Sequence, residues 1–317
     1  MPAFLSGLDP RTAALLAVLA LVAVAYLVVL LRGVRRVAHA SGEPATPTAA
    51  LTGTGFVANF FDTLGIGSFA TTTAIVRQWR LIRDERLPGT LNAGHAFPTI
   101  AQAFIFTQAV AVDPTTLILM IAAAVLGAWL GAGVVARLPR RAIQFGMGLA
   151  LLAAATLIVL TLADVLPGGG EALVLTGPRL ALGLVGNFLL GALMTLGIGL
   201  YGPCMVLVSL LGMNPTAAFP IMMGSCAFLM PVASARFIRE RAFDPRAALS
   251  FVLGGVPAVL IAAFLVKSLP LTAVRWLVVL VVVYTAVGLL LAARRRSAAE
   301  GDVAGTPAPR TAPAVTP

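Results

Sequence analysis

Nine apolar segments follow one another along this chain, at residues 12–31, 50–76, 89–111, 115–136, 142–163, 179–212, 215–235, 246–266 and 271–293. A helix needs about 20 apolar residues to cross the hydrocarbon of a bilayer, and the first of these segments carries no charge. Such a pattern has lipid as its solvent. Composition agrees: 59% of the residues are hydrophobic and 11% charged, whereas a soluble domain carries about 25% charged residues. The expected fold is an all-α integral membrane protein, a polytopic helical bundle with the bilayer as its partner.

The formal net charge is +10. In a soluble protein that excess would suggest nucleic acid. Here the arginines stand in short clusters between apolar runs, which is the pattern of cytoplasmic loops, and no nucleic-acid partner is expected. Segment 12–31 is long for the core of a signal peptide, and Arg32, Arg35 and Arg36 follow it rather than precede it. It reads as an uncleaved first helix with its N-terminus outside and, with the Pro/Ser/Thr linker after it, occupies residues 1–49. The Ala/Pro/Thr/Gly-rich tail 294–317 reads as disordered and cytoplasmic. Cys204 and Cys226 lie in apolar surroundings and read as structural. No metal or other cofactor is implied.

Between them the sequence repeats. "TLGIG" stands at 63–67 and at 195–199, "DP" at 113–114 and 244–245, and "LP" at 138–139 and 269–270. The order is the same and the offset is constant to within one residue. The repeats are expected at 50–163 and 179–293, with an extracytoplasmic loop at 164–178. Nine full spans would place twelve of the 22 Lys and Arg inside and ten outside, which is no bias. If each TLGIG segment enters and leaves on one side, eighteen lie inside and four outside, as the positive-inside rule expects. The favoured topology is seven spans plus two re-entrant hairpins in inverted repeats, with nine full spans as the alternative.

Paired breaks in matching segments point to a transporter's binding site. Non-helical backbone is tolerated at membrane depth only where protein or a water-filled cavity surrounds it. Gly65, Gly67, Gly197 and Gly199 supply the turn. The helix that starts after each break has unpartnered N–H groups and a positive dipole end, which suit an anion. Ser68 and Thr71 are expected to cap the first such helix. In the second, Tyr201 and Gly202 precede Pro203 at an expected first helical position. These residues form the candidate site for a small anionic substrate. Asp62 is an acid within a membrane segment, a functional candidate by default. It reads either as a proton or cation carrier or as a strut holding the turn, because Met194 stands at the matching place in the second repeat. His95 reads as a proton relay or as a satisfied structural histidine. Thr90, Asn92 and Ser225 are further polar candidates, while Gly127 and Gly131 read as helix-packing glycines.

The stretch "GFVANFFDTLGIGSFATTT" and the later "LGAWLGAGVVARLPRRAIQFGMGLAL" resemble the sulfite exporter TauE/SafE family over roughly residues 50 to 293. The resemblance implies a duplicated permease of the cell inner membrane that moves sulfite, sulfonates or related small sulfur-containing anions outward. The chain departs from the family's longer glycine run at Ser68 and at Leu200–Tyr201. An enzyme is not expected: there is no H-E-x-x-H, no G-x-S-x-G, and only two histidines, His39 and His95. A channel or a non-transporting assembly factor is the competing reading, and a homo-oligomer is compatible with either.

Overall fold

The computed structural model describes residues 9–41, 45–135, 140–163, 165, 170–194, 199–267 and 270–305. They form eleven α-helices: α1 (Pro10–Ser41), α2 (Ala49–Thr63), α3 (Ser68–Gln78), α4 (Leu87–Ala109), α5 (Pro114–Val135), α6 (Arg140–Leu162), α7 (Gly177–Met194), α8 (Tyr201–Leu210), α9 (Ala218–Arg239), α10 (Pro245–Lys267) and α11 (Leu271–Gly305). Among the described residues there is no strand, only one isolated bridge between Ala172 and Met213. Among the described residues, five segments are long and apolar enough to cross a membrane: Pro10–Ala40, Gly177–Met194, Pro215–Arg239, Pro245–Leu265 and Trp276–Arg294. The expected all-α membrane bundle is therefore what forms. One expectation changes: α11 continues to Gly305, so the first part of the tail taken as disordered is helical. The rest of the tail lies outside the described residues.

Local chemistry sets the helix boundaries. The two Asp-Pro pairs are matching helix starts. Asp113 accepts from the Thr116 N–H (2.7 Å) ahead of α5, and Asp244 accepts from the Ala247 N–H (3.0 Å) ahead of α10. Each carboxylate satisfies an orphan N–H, and each proline takes the first helical position, where an N–H would be idle. The end of α2 is a Schellman turn: Gly65 N–H donates to Asp62 O (2.8 Å) and Ile66 N–H to Phe61 O (3.0 Å). That turn requires a left-handed residue, and Gly65 has φ +97°; Gly67, at φ +92°, then redirects the chain into α3.

Helices α2 and α3 fold back on each other. Asn59 on α2 and Thr72 on α3 both hold His95, each 2.9 Å from one of its two ring nitrogens. On one straight helix these two residues would stand about 20 Å apart. Leu51 at the start of α2 and Val76 at the end of α3 also share a buried cluster with Leu87, Leu91, Ala247 and Phe251. Helices α7 and α8 do the same at the opposite end of the bundle. A side chain at Gly186 on α7 would press on Leu207 of α8. Ala172, ahead of α7, donates to Gly212 O (3.3 Å) and accepts from Asn214 N–H (2.9 Å), beyond α8.

Helix α4, about 35 Å long, joins the two ends. It begins in the Leu51–Val76 cluster and leads to Asp113, whose N–H donates to Leu173 O (2.9 Å) beside the base of the second hairpin. The hairpins thus enter from opposite ends of α4, and the first tip meets the start of α8 alongside it.

Packing between the halves is reciprocal. Hairpin helix α2 lies along α10, and hairpin helix α7 lies along α5; α4 pairs with α9 and α6 with α11. Small residues allow the close approach. A Cβ on Gly55 would strike the Phe251 backbone and one on Gly254 the Thr52 carbonyl, while across the molecule Gly127 meets Phe188 and Gly191 meets Ala124. Leu21, Trp129 and Phe264 point outward, between 69% and 80% exposed, as lipid-facing side chains do. The clusters Arg32–Arg36, Arg77–Arg86 and Arg236–Arg246 gather at the end where α4 begins, and Arg11 and Arg179 lie at the other.

Candidate functional site

Gln102 of α4 hydrogen-bonds to both hairpins. Its Nε2 donates to Asp62 Oδ2 (2.9 Å) and to Thr63 Oγ1 (2.9 Å), both on the first hairpin. Its Oε1 accepts from the Tyr201 hydroxyl (2.9 Å), at the start of α8 on the second. Asp62 Oδ1 accepts the Ser68 N–H, the first of α3 (2.5 Å). All of these side chains are buried: Gln102 is fully enclosed, Asp62 2% exposed and Tyr201 6%. Among the described residues no basic side chain pairs with Asp62.

Asp62 therefore caps α3 across the break. Ser68 and Thr71 do not, as had been expected of them. Gly67 is the N-cap residue, without a side-chain cap bond of its own, and the Thr71 hydroxyl donates to Gly67 O (3.2 Å). The positive end of α3, expected to be open to a ligand, is met by the chain's own carboxylate.

The polar path continues away from the tip. Thr63 Oγ1 donates to Asn59 O (2.8 Å), and Asn59 holds His95 Nδ1 while Thr72 holds Nε2. The imidazole stacks on Phe251 of α10, with ring centroids 5.0 Å apart. His95 is thus engaged on both nitrogens between the legs of the first hairpin, and it reaches Gln102 only through Asn59 and Thr63.

The second hairpin is built differently. Helix α8 starts at Tyr201 with Leu200 as its N-cap residue. Pro203 is therefore the third helical residue rather than the first, still inside the turn where a missing N–H is harmless. Gly202 packs on Thr285 of α11 rather than on the tip. Sulfur lines this side: Cys226 Sγ lies 3.6 Å from Met194 Sδ, and Met205 and Met222 close over Gly65. Among the described residues, a Cβ at Gly67 or at Gly199 would meet nothing within 4 Å. Gly197 lies outside the described residues.

Thr90 and Asn92 sit at the beginning of α4, away from the tips; the Thr90 hydroxyl accepts from the Asp244 N–H (2.8 Å). Ser225 on α9 accepts from Asn187 of α7 (3.3 Å), whose Oδ1 has no partner. Sequence reasoning missed Gln102, Asn59, Thr63 and Thr72. The available signal for Gln102 was an amide inside the apolar stretch "IAQAFIF". Among the described residues no three His, Cys, Asp or Glu side chains are grouped to hold a metal. The arrangement gathers one acid, one amide and one hydroxyl in a single buried network between the hairpins.

No curated protein and no solved structure matches the chain. Residues 3–158 and 179–316 match the family model described as sulfite exporter TauE/SafE.

Proposed function

The chain belongs to the sulfite exporter TauE/SafE family, and from that premise we propose that it is a secondary transporter that carries a small sulfur-containing anion outward across the cell inner membrane. The observation that carries this reading is the meeting of two broken hairpins, entered from opposite ends of α4, at Gln102. Irregular backbone at membrane depth stands only where protein or a water-filled cavity shields it from lipid. Its place where the two halves face each other is where such carriers bind.

The anion is received between the tips. Gly67 and Ser68 supply one wall, with Thr71 one turn into α3, and Gly199 and Tyr201 the other; Gly65, under Met205 and Met222, and Gly202, turned to Thr285, stand behind it. The two halves act as inverted repeats, as their reciprocal packing suggests. The arginine-rich end faces the cytoplasm under the positive-inside rule, which sets the N-terminus outside and the C-terminus inside.

The test is anion flux in proteoliposomes, comparing sulfite with sulfate and a simple sulfonate. Flux of sulfite or the sulfonate in preference to sulfate, abolished by Gly199→Leu, is the expected result. In that variant the leucine fills the open space at the second tip. Equal flux of all three anions, no flux, or a Gly199→Leu variant that works normally would each defeat the reading.

A further inference from the structure

The hydrogen-bond direction at Gln102 has a consequence for coupling. A carboxylate only accepts, and the Thr63 hydroxyl spends its proton on Asn59 O. The amide must therefore turn its NH2 toward Asp62 and Thr63 and its carbonyl toward Tyr201, as is seen. In this state both Gln102 N–H bonds and the Tyr201 O–H are used within the protein. No side-chain donor of the triad is left for an anion, and the Asp62 charge repels one.

A proton on Asp62 reverses this. Its O–H needs an acceptor, and the Gln102 amide, whose NH2 now faces it, can present its carbonyl by turning over. The amide rotates, its NH2 turns toward the second hairpin, and the Tyr201 hydroxyl is released as a donor. Two donors then face the space between the tips, and the negative charge is gone.

Resting on the transport reading above, we propose that Asp62 and the transported anion compete for the same donors through Gln102, so that the anion binds only when Asp62 carries a proton and the two cross together. A monovalent anion then moves without net charge. The other titratable groups at the tips are Tyr201 and Cys204 on α8 and Cys226 on α9, with His95 on α4 behind Asn59. Arg77 on α3 and Arg246 on α10 stand at the far ends of their helices.

Two measurements on the full chain test this. The protein has three tyrosines, so 19F NMR of 3-fluorotyrosine-labelled protein gives a resolvable signal for Tyr201, assigned by Tyr201→Phe. That signal is expected to move with pH in the wild type. It should stay at its acid position in Asp62→Asn, whose amide mimics the protonated acid, and lose its response in Gln102→Met, which keeps the side-chain length. A static wild-type signal, or one that titrates equally in Asp62→Asn, overturns the switch. The second measurement is methanesulfonate flux with a proton readout, since this anion does not titrate itself. One proton should accompany each anion, with apparent affinity falling about tenfold per pH unit once Asp62 ionises. Asp62→Asn should carry the anion without protons or pH dependence. Flux without proton movement removes the coupling and leaves the transporter standing. A pH-responsive Tyr201 with no flux removes the transport reading instead.

Discussion

The two hairpins share a course through the bundle but not a chemistry. The first is held by a closed polar network running from Thr72 through His95, Asn59 and Thr63 to Gln102 and Asp62, each member satisfied. The second is lined with sulfur, and its one buried amide, Asn187, keeps an unpaired Oδ1. The first tip turns on two glycines with positive φ and is closed over by Met205 and Met222, while the second is open at Gly199. On the coupling proposed above, Asp62 in the first hairpin takes the proton and the anion enters beside the second.

Breaking the polar side should have the largest effect. Asp62→Ala leaves the Ser68 N–H and the Gln102 amide without their acceptor, costing on the order of 3 kcal/mol. Both cysteines are free and buried beside the second hairpin, so thermal labelling with a thiol-reactive dye reads the loss directly. His95→Leu strands Asn59 and Thr72 and should cost about 2 kcal/mol in the same assay. Asn187→Ala, its counterpart on the other side, should cost only about 1 kcal/mol, because half of its amide is already unpaired. Equal losses at His95 and Asn187 would erase the contrast.

The glycines sharpen it further. Gly65→Ala forces a left-handed alanine against Met205, a loss of about 1–2 kcal/mol from the backbone alone. Gly199→Ala meets open space and should leave the melting temperature where it is. A small effect of the opposite sign is expected at a hairpin base. The first hairpin ends on Arg80 at φ +50° and the second on Gly212 at φ +82°. Arg80→Gly should therefore stabilise by about 0.5 kcal/mol, the relief of a left-handed side chain less the entropy of glycine. A denaturant titration of that variant beside Gly212→Ala should show opposite signs.

Much of the architecture was legible before any coordinates, because its causes are local. Apolar length marks a membrane helix, Gly-x-Gly marks a break, and Asp-Pro marks a helix start. The return of α3 along α2 and of α8 along α7 could be argued from the arginines, whose placement reflects a long-range electrostatic preference that leaves a countable trace in the sequence. The site was less legible. Ser68 and Thr71 looked like caps because their residue types suit that role, yet the cap came from Asp62, on the far side of the turn. Gly202 looked like part of the tip, and Thr285 of a distant helix took its face.

Gln102 is the clearest case of what sequence alone did not decide. An amide inside an apolar run carries no periodicity, no motif and no charge to announce its partners. Its bonds reach Asp62 and Tyr201, far away on either side in the chain, and they exist only because the hairpins arrive at α4 from opposite ends. Local propensity determined where the helices start, break and stop. Which donors meet which acceptors was decided by the packing of α2 on α10 and α7 on α5, since a hydrogen bond requires two groups at about 3 Å, and only the folded chain sets that distance.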